Sequence, residues 1–187
     1  MKTRSLYLLK FIIITLIFLM TSGKVLIISA QGSGNEVKKL QNPLTPEYIR
    51  TKLRKSTPRI ILNPVVERNL KTRLKTDPVV KNYYTAMKIS AEEIMGSPIL
   101  TRNVIGRRLL GTSRSMLQRM TILSMVYRID REPAVIKRIN DELTAICNFS
   151  DWHPSHFLDV AEMSLAVAIA VDWVGKSLPR NTLELAK

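Results

Sequence analysis

The sequence predicts an all-α fold, and three observations carry that prediction. Helical stretches begin repeatedly on a capping residue followed by proline, as at Thr45-Pro46, Asn63-Pro64 and Asp77-Pro78. Apolar residues then return at three- and four-residue spacing. After the first thirty residues, no stretch alternates apolar and polar side chains long enough to make a convincing strand.

The first thirty residues stand apart by composition. Lys2, Arg4 and Lys10 surround the start of an apolar run over residues 11–20, and small residues follow at Ser22, Gly23, Ser29 and Ala30. This is the layout of a secretory signal peptide, cut after Ala30 or near Gly23. Lys24 splits the apolar run, which makes an uncleaved membrane anchor the less comfortable alternative. The leader holds four basic and no acidic residues, so the net charge of +14 becomes +10 without it. A cationic exported protein calls for an anionic partner, although solubility alone would also account for the charge. Export disfavours nucleic acid, and membrane contact would come only through the leader if it stayed uncleaved. Cys147 is the sole cysteine, which excludes an intramolecular disulfide; its apolar neighbours Ala145 and Ile146 mark it as a small buried residue.

Residues 31–56 read as a polar linker and a short basic helix starting at Thr45-Pro46. Residues 57–62 form an extended apolar segment beginning Thr57-Pro58-Arg59. From Asn63, the residues Val65, Val66, Leu70 and Leu74 make an apolar stripe. A second helix from Asp77 carries Val79, Val80, Tyr83, Tyr84, Met87, Ile89 and Ile94 along it and is closed by Gly96 just outside its end. Residues 99–111 lack a helical period and contain Gly106 and Gly111, so they read as a loop. Helical spacing returns from Thr112 or Ser113 with Met116, Leu117, Met120 and Leu123. Pro133 starts another helix with Val135, Ile136, Ile139, Leu143 and Ile146 inward and Lys137, Arg138, Asp141 and Glu142 outward.

Residues 149–174 hold both tryptophans and both histidines of the chain. An aromatic, turn-rich opening runs into a helix that is apolar nearly all round, a pattern that demands neighbours on every side. The inner layer of two concentric helical layers provides them. The expected architecture is therefore an incomplete α/α toroid built from helical hairpins, spanning residues 57–187, with too few helices to close.

Within this stretch His156-Phe157-Leu158-Asp159, Ala161-Glu162-Met163 and the later Asp172-Trp173 are its most distinctive features. Together with Thr57-Pro58-Arg59, they resemble the N-terminal region of heparinase II/III-like polysaccharide lyases. The resemblance implies an α/α toroid, export to the periplasm or outside, and β-elimination on uronic-acid-containing glycans such as heparan sulfate or alginate. It implies no cofactor. It places the Asn, Tyr and His that do the chemistry beyond this chain, so no catalytic residue is expected within it. The alternative is a non-catalytic glycan-binding or scaffold domain with the same helices.

His156, Asp159 and Glu162 share one face of the first helical turns. Either that face touches sugar, or it is a hydrogen-bonded cluster fixing the preceding loop, with Asp159 or Glu162 paired to an arginine. Trp152 either stacks on a sugar ring or packs its loop onto the core. Arg107, Arg108, Arg114 and Arg119 gather near one loop, and guanidinium groups suit carboxylate and sulfate. Arg114 completes the set of candidate substrate contacts. His153 and His156 alone leave a metal site short of ligands, so none is expected. Asp172, near a helix end, calls for a buried partner such as an arginine.

Overall fold

The computed structural model describes residues 44–187; the expected leader and most of the linker lie outside the described residues. Among the described residues there are seven α-helices, one short 3-10 helix and no strand, as an all-α chain requires. The chain divides into two units between Thr51 and Lys52. In the first, α1 (Pro46–Lys52) is capped as expected: the Thr45 hydroxyl accepts from the Tyr48 N–H at 3.0 Å. This helix buries no residue.

The second unit contains α2 (Pro64–Thr76), α3 (Pro78–Gly96), α4 (Leu110–Asp130), α5 (Pro133–Cys147), α6 (Phe157–Val174), the 3-10 turn Gly175–Ser177 and α7 (Arg180–Leu185). Local chemistry sets the helix starts. The Asn63 side chain accepts from the Val65 and Val66 N–H groups, and Asp77 does the same for Val79 and Val80, which satisfies otherwise orphaned donors. Gly96 is the last residue of α3 rather than the one after it. Ser97 supplies the stop, its hydroxyl donating to the Ile94 carbonyl at 2.8 Å.

The core is built around α4. Met116, Met120 and Leu123 are completely buried, against Ile139, Leu143 and Ile146 of α5 and Met163, Ala166 and Ala170 of α6. Each large apolar side chain so buried contributes roughly 1.5–3 kcal/mol. Helix directions follow from side-chain bonds. At one end Asp159 of α6 accepts from the Leu109 N–H, and Glu162 from Ser113 of α4. At the other end Arg128 of α4 donates to the Trp173 carbonyl of α6. Thus α4 and α6 run parallel, and α5 returns between them in sequence. Helix α3 runs antiparallel to α4: Lys88 pairs with Asp130 at 3.1 Å, while Arg119 reaches the Pro98 carbonyl just past the end of α3.

Four expectations are corrected. Helix α2 buries nothing; Val65 and Val66 of its apolar stripe are exposed, so amphipathic spacing alone did not bring the stripe into the core. Arg138 and Glu142 are buried rather than outward, because the loop after α3 needs their groups: Glu142 accepts from the Leu100 N–H and Arg138 donates to the Met95 and Pro98 carbonyls. Helix α6 is not enclosed on every side, since Phe157, Leu158 and Leu165 are exposed, Phe157 by 81%. Asp172 has partners, but they are the backbone N–H groups of Arg59 and Ile60, not a guanidinium.

Candidate functional site

The N-terminal ends of α4 and α6 meet at one pole of the helical unit, and two loops close over them. One runs through residues 97–109, the other through residues 148–156. Gly106 has φ of +62°, a backbone conformation that suits glycine, and it turns the first loop so that Ile105 and Arg108 bridge each other. That turn sends Arg107 and Arg108 outward. In the second loop His153 takes φ of +59°, a region few non-glycine residues adopt. The Asp151 carboxylate holds it there by accepting the His153 N–H at 2.6 Å, and Asp151 is itself paired with Arg102 at 2.8 Å.

Asp159 joins the two loops. Its carboxylate is completely buried and accepts three bonds: the Leu109 N–H at 2.8 Å, His156 Nδ1 at 2.8 Å and His153 Nδ1 at 3.1 Å. Burial would push its acidity down, but the Leu109 N–H and then the two imidazoles outweigh it and hold the carboxyl below its ordinary range. An ionised carboxylate only accepts, so both rings carry their hydrogen on Nδ1. Each Nε2 is then left for other partners. That of His153 lies 3.3 Å from the Ser155 hydroxyl. The ring centroids are 6.5 Å apart.

An open cleft of about 530 Å³ lies over this arrangement, lined by Gly106, Arg107, Arg108, His153, Ser155 and His156. Both arginines are exposed, and among the described residues neither guanidinium has an ion-pair partner. Their neighbours differ. Arg102, Arg114, Arg119 and Arg138 are all matched to carboxylates.

The expected site residues therefore separate. His156 and Asp159 come together, joined by His153, which spacing alone did not single out as a partner of Asp159. Glu162 and Arg114 pair with each other at 3.3 Å, and Ser113 adds a bond to Glu162 at 3.0 Å, so they clamp α6 to α4. Trp152 does not border this cleft. It is half-buried against the core, donates to the Ile146 carbonyl at 2.9 Å and lines a different, mostly apolar cavity of about 610 Å³ with Cys147, Ile60 and Val167. Arg119 is drawn away to Glu142. Among the described residues no group of three or more His, Cys, Asp or Glu side chains is placed to hold a metal ion.

Chemically the cleft offers two permanent cations, a hydroxyl and two imidazole edges, over a carboxylate already saturated by its own partners. It can grip an oxyanion. No protein-family model matches the chain, and no curated protein matches it significantly.

Proposed function

We propose that this chain is the N-terminal helical portion of a secreted lyase of the heparinase II/III-like kind, and that its part is to hold a uronic-acid-containing glycan. The observation that carries this reading is the cleft itself, with unpaired Arg107 and Arg108 beside an imidazole pair fixed by buried Asp159. The helix directions support the toroid that such a protein would have. Parallel neighbours α4 and α6, flanked by antiparallel α3 and α5, are the alternation of inner and outer helices that two concentric layers need. The leader-like residues 1–30 are the basis for placing the protein in the periplasm or outside the cell. Among the described residues no helix is long and apolar enough to cross a membrane.

β-Elimination needs the uronate carboxylate neutralised, a base for the C5 proton and an acid, commonly a tyrosine, for the leaving oxygen. The first task suits Arg107 and Arg108. The last has no candidate among the described residues. None of the four described tyrosines lines the cleft: Tyr48 is exposed on α1, Tyr83 is exposed on α3, Tyr84 has its phenol pushed up by burial and by Asp130, and Tyr127 lies under Arg131 at 5.4 Å. This favours a second reading, in which the chain binds glycan without cleaving it. Incubation with heparan sulfate, alginate and chondroitin tests glycan binding and any catalysis by the chain itself, with binding and the absorbance of the unsaturated product both followed. Binding without an absorbance rise is expected. A rise with any polymer would establish catalysis by this chain, and absence of binding to all three would sink the acidic-glycan proposal.

A further inference from the structure

We infer that Arg107, Arg108, His153 and His156 form a proton-linked site for a single oxyanion, a sulfate ester or a carboxylate, in the cleft above Asp159. The acidic-glycan reading supplies the source of such a group; the site itself stands on geometry. Asp159 accepts from both Nδ1 atoms, so it fixes the tautomer and the tilt of both rings in the same way a carboxylate orients a metal-ligating histidine. What it cannot fix is the state of Nε2. In a neutral imidazole Nε2 carries a lone pair, which repels an anion; that of His153 lies within reach of the Ser155 hydroxyl at 3.3 Å. Each becomes a donor when it takes a proton.

Imidazole ordinarily changes charge between about pH 5 and pH 8. The charged groups that face the pair come from every surrounding element. The 97–109 loop brings Arg102, Arg107 and Arg108; the 148–156 loop brings Asp151; α6 brings Asp159 and Glu162; and α4 brings Arg114. Asp151 and Glu162 are already matched, to Arg102 and Arg114. Uncompensated charge in the cleft therefore comes from Arg107 and Arg108 against Asp159, and rises as the rings protonate. An oxyanion seated between guanidinium and imidazolium groups would gain charge-assisted hydrogen bonds from both sides. Its binding takes up protons, so affinity climbs as pH falls.

Titration of the full chain with inorganic sulfate at constant ionic strength tests this, with imidazole and arginine side-chain NMR signals followed near pH 5.5 and near pH 8. Sulfate should shift the His153, His156, Arg107 and Arg108 signals, with affinity lower by about tenfold or more at the higher pH. The Arg107→Gln/Arg108→Gln double variant changes exposed residues only, and it should lose the response at both pH values. His156→Gln keeps a donor for Asp159 but removes one of the two imidazoles, so it should reduce the pH dependence. Equal affinity at both pH values would overturn the proton linkage. Sulfate shifts that survive the double variant, or are absent from these residues, would overturn the site. If sulfate binds here while heparan sulfate, alginate and chondroitin do not, the site stands and the acidic-glycan reading falls. If the polymers bind unchanged to the double variant while sulfate no longer does, the site stands but the glycan is held elsewhere, and the cleft no longer carries the acidic-glycan reading.

Discussion

Glu142 and Asp159 are both completely buried carboxylates that accept a loop N–H, from Leu100 and Leu109 respectively. They differ in what neutralises them. Glu142 is met by two permanent cations, Arg138 and Arg119, and each of these also holds a carbonyl of the same loop. Nothing there depends on solution conditions, and nothing is left over for a ligand. Asp159 is met only by imidazoles, which carry no permanent charge, and both rings line an open cleft. The first arrangement is a fastening. The second fastens two loops while leaving donors for a guest.

Substitutions at the two anchors should therefore differ in size and kind. The largest effect is expected from Glu142→Ala, which strands buried Arg138 and costs about 3–5 kcal/mol in urea unfolding. Asp159→Ala leaves the Leu109 N–H unsatisfied but strands no permanent cation, so about 1–3 kcal/mol is expected. Equal losses would break the contrast. The pH dependence sharpens it further. Because the folded-state acidity of Asp159 lies below its ordinary range, its contribution is complete above the unfolded-state value of about 3.9 and is lost as pH falls through the folded one. Wild type should thus lose more stability than Asp159→Ala on acidification from about pH 5 to about pH 2. The smallest effect is expected from Arg114→Ala. Its side chain is 63% exposed, so its bond to Glu162 should be worth less than about 1 kcal/mol by the same urea measurement.

Much of the fold was legible because its signals are local. A capping side chain and the proline after it act within three residues, so the starts at Pro46, Pro64 and Pro78 could be placed from the sequence, and at Pro133 the proline alone marks the start. The core stripes of α4 and α5 follow from helical spacing, and Met116, Met120, Ile139 and Leu143 were all recovered. What failed was non-local. Arg138 and Glu142 do pair, four residues apart, but the loop groups that keep the pair inside lie about forty positions upstream at Pro98 and Leu100. The Val65 and Val66 stripe was visible, but whether a stripe meets a partner is decided by other helices. In the site, His156 and Asp159 declared themselves by spacing on one face. His153 did not, because only its left-handed backbone folds it back toward the same carboxylate. Trp152 went the other way, since its indole N–H had a carbonyl to satisfy on α5.

The parallel run of α4 and α6 has an electrical consequence. In an antiparallel hairpin the two helix macrodipoles largely cancel; side by side and pointing the same way, they add. At the pole carrying the cleft, however, α3 and α5 set their negative ends beside these two positive ones, so the four helices together confer little net polarity. What survives is local: Asp159 lies in the first turn of α6, where the positive end favours its charge. An anion approaching in low salt is drawn to the cleft by exposed Arg107 and Arg108 rather than by the helices, and added salt would weaken that pull.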